Sequence, residues 1–461
     1  MIVEQFYLGC LSQASYVVAD EVSRRAVIVD PRRDVDGYLA FAAERGLQIE
    51  LVILTHVHAD FVPGYAELAA ATGAVVAMGE LSPVDFPIRR LADRERLLLG
   101  DERTGVAIEV VATPGHTPES ITLAVYERAA DVAPAALLTG DTLFIGDVGR
   151  PDLLGAAGRT AEEMARQLFD SLRERILPLP DDVVIYPGHG AGSACGKALS
   201  EQTFSTLGEQ RRSNYALAPM VVDDFVDVVT QGLGEPPAYF AQEVALNRSG
   251  HQPMPAEPLP ELDLAEATSR IAAGALLLDV RDDQAFTAGA VRGSVNVGLS
   301  GRFAEFAAAV HTADQPIVLA GSAIEVTEAR LRLARVGLDD VVAVLLEPAA
   351  RLAANPDQAA TASRLTAHQA SALLSTGADI QVVDVRAPGE HEDGALPGAV
   401  NLPLPRLLGT LDQLDRARPV LIHCAGGYRS SIAASLLRAR GFGDVSDLIG
   451  GYAAWASVAA A

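Results

Sequence analysis

The sequence predicts an α/β fold, with one large N-terminal domain followed by two smaller domains that repeat one another. Three observations predict this organisation. Short apolar strands alternate with helical segments up to about residue 250, a Pro-rich stretch at 252–260 is typical of a linker, and two similar segments follow 105 residues apart. We therefore expect domains at 1–252, 259–352 and 362–461.

The composition favours a soluble protein that handles small molecules. A net charge of −24 over 461 residues argues against nucleic acid and against an anionic membrane surface as partners. No apolar run is long enough for a transmembrane helix, and no signal peptide is expected at the N-terminus. Three cysteines, Cys10, Cys195 and Cys424, are too few for a disulfide framework and predict a reducing, cytoplasmic setting.

In the N-terminal domain, four predicted strands end in loops that carry His or Asp beside Gly, Pro or Thr. The strands are 51–54, 107–112, 136–139 and 183–186, and their loops contribute His56, His116, Asp141 and His189. A further strand at 27–31 and helices at 38–45 and 63–72 complete the pattern. Four polar loops at strand ends favour one converging site over four coincidences.

The first of these loops is Thr55-His56-Val57-His58-Ala59-Asp60-Phe61. It offers two imidazoles and a carboxylate to a metal, and such a set leaves positions open for a substrate and dioxygen, as in non-haem Fe(II) sites. A plain polar loop with two surface histidines is the alternative. Phe61 ends the motif with a side chain that binds no metal.

Four motifs occur in order along this domain: Thr-His-x-His-x-Asp, Gly-His-Thr, Gly-Asp-Thr and Pro-Gly-His-Gly. Together they resemble the metallo-β-lactamase superfamily, and the resemblance implies an αββα sandwich. Dinuclear zinc hydrolases of that superfamily, such as glyoxalase II, place a histidine at the position of Phe61. We therefore expect the second metal site to lack one of its ligands here.

Within the superfamily, the sequence resembles the sulfur-oxidising branch, the persulfide dioxygenases. This resemblance implies one Fe(II) per chain, with His56, His116 and Asp141 as its ligands. It also implies that three further residues lie near the metal, as outer groups or on the substrate side. These residues are His58, Asp60 and His189.

Three more residues lie in stretches similar to the same branch, and each keeps two interpretations. Arg150 orients a ligand or pairs with a carboxylate. Cys195 relays sulfur near the metal pocket or packs as an inert thiol. Lys197 is the only lysine among 36 basic residues, and it is either needed as a compact ammonium or present by chance.

The C-terminal half contains an internal repeat. Leu277-Leu278-Asp279-Val280-Arg281 recurs as Val382-Val383-Asp384-Val385-Arg386, and Gly289, Gly293 and Asn296 recur as Gly394, Gly398 and Asn401. A constant offset without insertions implies two copies of one small α/β domain. Each copy continues through a strand, 316–319 or 419–422, into a loop and a helix, which we expect at 431–440 in the second copy.

The loop of the second copy is Cys424-Ala425-Gly426-Gly427-Tyr428-Arg429-Ser430. Backbone N–H groups in such a loop, ahead of a helix, favour an anion and a thiolate. Asp-Val-Arg, Gly-Ala-x-Asn and Cys-x-x-x-x-Arg-Ser together resemble the rhodanese sulfurtransferases, which implies a persulfide on Cys424 and an anion held by Arg429. A cysteine phosphatase is the alternative. The first copy has Gly321 in place of the cysteine, and we expect an inactive rhodanese-like domain with a structural role.

The three parts together resemble the persulfide dioxygenase–rhodanese fusion proteins. The resemblance implies that a persulfide of glutathione, coenzyme A or bacillithiol reacts with O2 to give sulfite, and that the sulfurtransferase forms or uses thiosulfate. It also implies a homo-oligomer and a role in sulfide detoxification. Two alternatives are a dinuclear zinc thioester hydrolase with rhodanese passenger domains, and a non-enzymatic sulfur carrier or sensor.

Overall fold

The structure, a computed structural model, describes residues 1–153, 158–234, 236–237, 239–255 and 257–459. The chain divides into two compact units, Met1–Pro255 and Ala256–Ala461, and the division falls within the expected linker. Residue 256 of that linker lies outside the described residues. The two expected domains 259–352 and 362–461 both belong to the second unit.

The first unit contains two six-stranded sheets. One sheet has the order β1 (Ile2–Leu8), β2 (Gln13–Ala19), β3 (Arg25–Val29), β4 (Gln48–Leu54), β5 (Val75–Gly79), β6 (Arg89–Leu91). In the other sheet, strands that follow one another in the chain are also neighbours. They are β7 (Arg96–Leu98), β8 (Ala107–Ala112), β9 (Ile121–Tyr126), β10 (Ala136–Gly140), β11 (Val184–Pro187) and β12 (Ser205–Thr206). The helices are α1 (Asp36–Arg45), α2 (Tyr65–Thr72), α3 (Ala161–Asp170, continued by a π-helix at Ser171–Ile176), α4 (Leu207–Ser213), α5 (Val222–Thr230) and α6 (Phe240–Ser249).

Alternating burial along the strands sets the layers of this unit. In β4, Leu51 and Ile53 pack in the core between the two sheets, whereas Val52 and Leu54 pack in a second core with side chains of α1 and α2. In β10, the side chain of Leu137 points away from the core between the sheets and packs with side chains of α3 and α5. Side chains of successive strand residues point to opposite faces, so each sheet is covered on both sides. The expected αββα sandwich is confirmed.

The second unit contains two parallel sheets, one for each copy of the repeat. The first copy consists of α7 (Leu264–Ala272), β13 (Leu276–Asp279), α8 (Asp283–Ala288), β14 (Ala290–Val291), β15 (Val295–Asn296), α9 (Phe303–Val310), β16 (Ile317–Gly321), α10 (Ala323–Ala334), β17 (Val341–Leu346) and α11 (Pro348–Ala354). The strand β18 (Ala359–Ala360) pairs with β14. The second copy consists of β19 (Ser363–Leu365), α12 (Ala367–Ser375), β20 (Gln381–Asp384), α13 (Pro388–Glu392), β21 (Ala399–Asn401), a 3-10 helix at Leu404–Gln413, β22 (Val420–His423), α14 (Tyr428–Ala439), β23 (Val445–Leu448) and α15 (Gly451–Ala459).

The two sheets have the same strand order. It is β15-β13-β16-β17 in the first copy and β21-β20-β22-β23 in the second, where β19 adds one further strand. Asp279 pairs with Ala320, and Asp384 pairs with His423, so Gly321 and Cys424 follow at equivalent positions. The expected tandem α/β domains are confirmed, and so is the alignment that places Gly321 opposite the cysteine.

Two expectations about local structure were wrong. The helix of the cysteine loop begins at Tyr428 instead of 431, because Gly427 adopts a left-handed conformation (φ 107°) and turns the chain directly into the helix. Cys10, which we expected on an N-terminal strand with a structural role, lies in the turn after β1. No helix among the described residues is long and apolar enough to cross a lipid bilayer.

Candidate functional site

Three buried side chains from three of the polar loops form a group of the kind that binds metals. The ligand atoms of His56, His116 and Asp141 lie within 4.8 Å of one another. Asp141 Oδ2 is 3.9 Å from His56 Nε2 and 3.5 Å from His116 Nε2. The loops meet because β4 and β10 both end at this edge of the sandwich, where the N–H of Ile121 on β9 also donates to the Thr55 carbonyl.

Hydrogen bonds orient both imidazoles with Nε2 facing the carboxylate. The Thr55 hydroxyl donates to Asp30 Oδ2 at 2.8 Å, so the neighbouring His56 Nδ1–H, at 3.0 Å, donates to that hydroxyl. His116 Nδ1–H donates to the Arg150 carbonyl at 3.0 Å. With Nδ1 protonated in each ring, Nε2 presents a lone pair to Asp141.

This arrangement fits a divalent cation. Both oxygens of Asp141 are buried without a hydrogen-bond partner, and a buried acceptor left unsatisfied costs roughly 1–3 kcal/mol. Burial, reinforced by the nearby rings of His58, His116 and His189, pushes the pKa of His56 well below its usual value. The imidazole is therefore neutral, as a ligand must be. Two neutral nitrogens and one carboxylate suit Fe(II) or Zn(II).

Two glycines allow the backbone to approach these ligands. A Cβ at Gly149 would lie 1.9 Å from the Asp141 carbonyl oxygen and 3.0 Å from His116 Nδ1. A Cβ at Gly188 would lie 2.5 Å from Asp141 Oδ1. Gly149, which precedes Arg150, and Gly188 of the Pro-Gly-His-Gly motif are therefore required by close contact with the ligands.

His58 lies beside the triad and faces another partner. Its Nε2 is 2.9 Å from Asp30 Oδ1, and its ring lies 4.4 Å from the ring of the buried Phe61. Asn247 on α6 donates to the carbonyls of His58 and Phe61 and so holds the loop. Neither Asp30 nor Asn247 was predicted from the sequence. Asp30 lies at the end of the predicted strand 27–31, and a polar residue at a strand end is the signal that could have indicated it.

A second buried group lies next to the triad. The ligand atoms of Asp60, His189 and Cys195 also lie within 4.8 Å of one another. His189 Nε2 is 3.3 Å from Asp60 Oδ2 and 3.6 Å from Asp141 Oδ1. Burial, followed by the two carboxylates, raises the pKa of the Cys195 thiol well above its usual value. In the absence of a cation, Cys195 is therefore a protonated thiol.

Arg150 pairs with a carboxylate, one of its two expected roles. Its guanidinium makes two hydrogen bonds to Asp152, at 2.6 and 2.7 Å, and others to the carbonyls of Ala194 and Gly234. Its backbone N–H donates to the Cys195 carbonyl at 2.9 Å. Arg150 thus fixes the segment that carries Cys195.

Lys197, expected among the groups near the metal or substrate, directs its ammonium to the C-terminal end of α5. Its side chain is exposed, and its ammonium donates to the carbonyls of Val228 and Gln231 at the end of α5. The same ammonium lies 4.9 Å from the centre of the Tyr215 ring. A lysine at this position caps a helix C-terminus, where a cation is favourable.

In the second unit, Cys424 lies directly after β22 and is buried. The N–H of Gly427 donates to Cys424 Sγ at 3.1 Å, and the Ser430 hydroxyl is 3.4 Å from the same sulfur. The loop therefore directs a backbone donor at the sulfur. The left-handed backbone at Gly427 makes this contact possible.

The two neighbours of Gly427 in the helix have different partners. Arg429 makes two hydrogen bonds, both 2.7 Å, to Glu390 on α13. The Tyr428 hydroxyl donates to the carbonyl of Gly298, which belongs to the first copy, at 2.6 Å. The guanidinium beside Glu390 lowers the pKa of that carboxyl, so an anion entering the loop would compete with Glu390 for Arg429.

The equivalent loop in the first copy holds a carboxylate instead of a thiol. Glu325 accepts hydrogen bonds from Ser322 N and Ser322 Oγ, both at 2.7 Å. This capping box starts α10 two residues after Gly321. The first copy therefore has a glycine at the position of the thiol, and Glu325 occupies the N–H and the hydroxyl of Ser322 next to it.

Two family profiles match the chain. The profile of the metallo-beta-lactamase superfamily matches residues 8–189, and that of the rhodanese-like domain matches 263–347 and 366–458. A solved metallo-beta-lactamase from Staphylococcus aureus is similar to the chain, with 33% identity and a TM-score of 0.66. It covers 75% of this chain and 98% of its own.

Three curated relatives each align with half of this chain or less. The mitochondrial persulfide dioxygenase of Homo sapiens is 29% identical over 50% of this chain and 80% of its own length. A hydroxyacylglutathione hydrolase of Polaromonas sp. is 33% identical over 41% of this chain and 66% of its own length. A beta-lactamase hydrolase-like protein of Agrobacterium fabrum is 31% identical over 46% of this chain, which spans about half (51%) of that relative.

Proposed function

The chain belongs to the metallo-β-lactamase superfamily and carries two rhodanese-like domains, and from this we propose that it joins a persulfide dioxygenase to a sulfurtransferase. The observation that carries the proposal is the buried group of two imidazoles and one carboxylate, His56, His116 and Asp141. Similarity to a persulfide dioxygenase over half of the chain supports it.

The proposed first reaction takes a thiol persulfide, O2 and water to a thiol, sulfite and two protons. Fe(II) bound by His56, His116 and Asp141 would supply open positions for the reactants and the redox chemistry that O2 needs. The chain itself orients the ligands, through Thr55 for His56 and through the Arg150 carbonyl for His116. The substrate is a persulfide of glutathione, coenzyme A or another small thiol.

In the proposed second reaction, Cys424 carries one extra sulfur as a persulfide. Sulfite attacks the outer sulfur, the S–S bond breaks, thiosulfate forms, and the electron pair returns to Cys424 as a thiolate. The Gly427 N–H stabilises this leaving thiolate. Arg429 attracts sulfite by its charge, and the reverse reaction uses the same groups.

Metal loading and oxygen uptake test the first reaction. We expect the full chain with Fe(II) to consume O2 in the presence of glutathione persulfide, and the variant His56→Ala to lower the rate by a factor on the order of 100 or more. The control is His368→Ala, whose imidazole is exposed on α12 in the other unit. Oxygen uptake that is unchanged in His56→Ala would contradict the proposal.

A thioester hydrolase is the second candidate, because the Polaromonas relative is a hydroxyacylglutathione hydrolase. This function requires zinc at both buried groups, the triad and the neighbouring group of Asp60, His189 and Cys195. It predicts turnover of S-lactoylglutathione and no oxygen uptake. Assays of both substrates on the iron-loaded and zinc-loaded chain separate the two candidates. A panel of glutathione, coenzyme A and bacillithiol persulfides then identifies the thiol.

A further inference from the structure

Arg429, the only basic residue of the cysteine loop, is held by a carboxylate. Both of its terminal guanidinium nitrogens donate to Glu390 at 2.7 Å. Glu390 is itself fixed at the start of α13, where its Oε2 also accepts from the Ala387 N–H at 3.0 Å. Both charged side chains remain partly exposed, so an anion from solvent can reach the guanidinium.

This ion pair lies within electrostatic range of the reacting sulfur. The bond to Glu390 raises the pKa of Arg429 above its usual value, and a thiolate at Cys424 adds to the effect. A group that binds at the sulfur therefore experiences the positive charge of Arg429 together with the negative charge of Glu390.

The first copy of the repeat lacks both members of the pair. The residues equivalent to Glu390 and Arg429 are Ala285 and Val326, when positions are counted from the paired strand ends. The sheets of the two copies nevertheless have the same strand order. The fold of the domain therefore does not depend on this pair, which accompanies the thiol.

The charges at Glu390 are balanced in pairs. Arg386, the other guanidinium near this carboxylate, bonds Asp384 at 2.7 Å. Thiosulfate carries two negative charges, so it must share Arg429 with Glu390 and is repelled by that carboxylate. A neutral thiol experiences no such repulsion. A repulsive charge of this kind discriminates between ligands that an attractive charge alone would both accept.

We propose that Glu390 is a specificity-determining residue, which acts through Arg429 to weaken the binding of dianions at the cysteine loop. The inference rests on the proposed sulfurtransferase and adds the class of substrate that it favours. Small thiols and their persulfides, whose sulfur end carries one charge at most, are favoured over thiosulfate. Thiosulfate that forms in the loop is released for the same reason.

Steady-state kinetics of the full chain test this inference, with thiosulfate as donor and 2-mercaptoethanol as acceptor. The Cys424 thiolate takes the outer sulfur of thiosulfate, and sulfite leaves. The thiol then attacks that sulfur and loses its proton to solvent, and the electron pair of the broken S–S bond returns to Cys424. We expect Glu390→Gln to lower KM for thiosulfate about three- to tenfold and to keep KM for the neutral thiol within about twofold.

Two variants separate charge from structure. Glu390→Asp keeps the negative charge and should keep the wild-type KM for thiosulfate. Glu392→Gln removes the same charge from an exposed position on the same helix and should change neither KM. If Glu390→Gln does not fold, Glu390→Ala takes its place with the same expectation, because the first copy folds with alanine at the equivalent position.

Protection of Cys424 is a measurement that needs no turnover. Neutral iodoacetamide alkylates the thiol, and mass spectrometry of the peptide that contains Cys424 gives the rate. Inorganic sulfate serves as an unreactive dianion that slows alkylation. We expect half-protection of Glu390→Gln at about three- to tenfold less sulfate than the wild type and Glu392→Gln require.

A KM for thiosulfate that is unchanged or higher in Glu390→Gln would overturn the inference. So would an equal change in Glu390→Asp or an equal change in KM for the neutral thiol, since either would make Glu390 a structural support of the loop. A wild type without sulfurtransferase activity would contradict the proposed function, and protection by sulfate then decides whether Glu390 weakens the binding of dianions.

Discussion

Asp30 controls the position of His56 without touching the proposed metal. Its carboxylate accepts hydrogen bonds from the Thr55 N–H and hydroxyl, both at 2.8 Å, and from His58 at 2.9 Å. Because the Thr55 hydroxyl is occupied by Asp30, it can only accept from His56. One buried carboxylate therefore determines which ring nitrogen of His56 faces Asp141.

We expect Asp30→Asn to weaken metal binding by about 10- to 100-fold. The amide NH2 of asparagine cannot accept the hydrogen bonds that Thr55 and His58 now donate to the carboxylate, so His56 would lose its orientation. A competition titration of Fe(II) against a chelator measures this change. The control is Asp36→Asn, an exposed acid in the first turn of α1. Equal affinity in the Asp30 variant and the wild type would show that the Asp30 carboxylate does not orient His56.

His423 gives the second unit a pH dependence. Burial lowers its pKa to about 4 from 6.5, although Asp384 opposes this effect. Because the folded-state pKa is below the unfolded one, the stability that neutral His423 contributes is complete above pH 6.5 and is lost as the pH falls towards 4.

Between about pH 7 and pH 4, we expect the wild type to lose on the order of 2–3 kcal/mol of unfolding free energy more than His423→Gln does. Urea unfolding measures it, with the fluorescence of Trp455, the only tryptophan, on α15 of the same copy. If the unfolding free energies of the two proteins change with pH in parallel, His423 is not the cause of the pH dependence.

At the scale of elements, α14 shows how the repeat builds the cysteine loop. Its first residue, Tyr428, bonds the Gly298 carbonyl and packs on Phe306, and Ser435 accepts from the Asn296 N–H at 2.9 Å. All three partners belong to the first copy. The first copy therefore fixes the helix whose N-terminus carries Arg429.

Tyr428→Phe removes one of these bonds and keeps the ring. We expect a loss of about 1 kcal/mol in stability, and a severalfold lower kcat for sulfur transfer from thiosulfate to cyanide with a smaller change in KM. Steady-state kinetics measure both constants, with Tyr126→Phe in the other unit as control. Unchanged kinetics would mean that the first copy does not influence the loop.

These elements also show what the sequence could and could not predict. The strand 107–112 was predicted at its observed ends, since its apolar pattern is local. The start of α14 was not, because Gly-Gly favours a loop and the contact of Tyr428 lies 130 residues away. The partners of Lys197 at the end of α5 could not be predicted either, because packing and not sequence spacing determines them.

At the scale of the whole molecule, the proposed reactions form a sequence in which sulfite is made and then used. We expect Cys424→Ser to consume O2 with glutathione persulfide at the wild-type rate and to accumulate sulfite, whereas the wild type forms thiosulfate. Chromatography of both anions at early times checks this. Cys10→Ser, which alters a turn after β1, should behave as the wild type.

The Cys424→Ser variant distinguishes the proposed fusion of two enzymes from a non-enzymatic sulfur carrier or sensor. If Cys424→Ser forms thiosulfate as fast as the wild type does, the second copy is not the sulfurtransferase and binds partners instead.

The convergence of His56, His116 and Asp141 was predictable from the strand ends, and the position of Gly321 was predictable from the repeat. The role of Asn247 depends on tertiary packing, because it bonds carbonyls more than 180 residues away, which spacing does not reveal.

The carboxylate of Glu325 obstructs a thiol in the first copy. A new Cβ at Gly321 would lie 3.2 Å from Glu325 Oε2 and 3.0 Å from Val280 Cγ2. Replacing Glu325 alone would break one half of the capping box, although Ser322 would remain the N-cap of α10. A thiol at this position therefore requires a coordinated double substitution, at Gly321 and at Glu325.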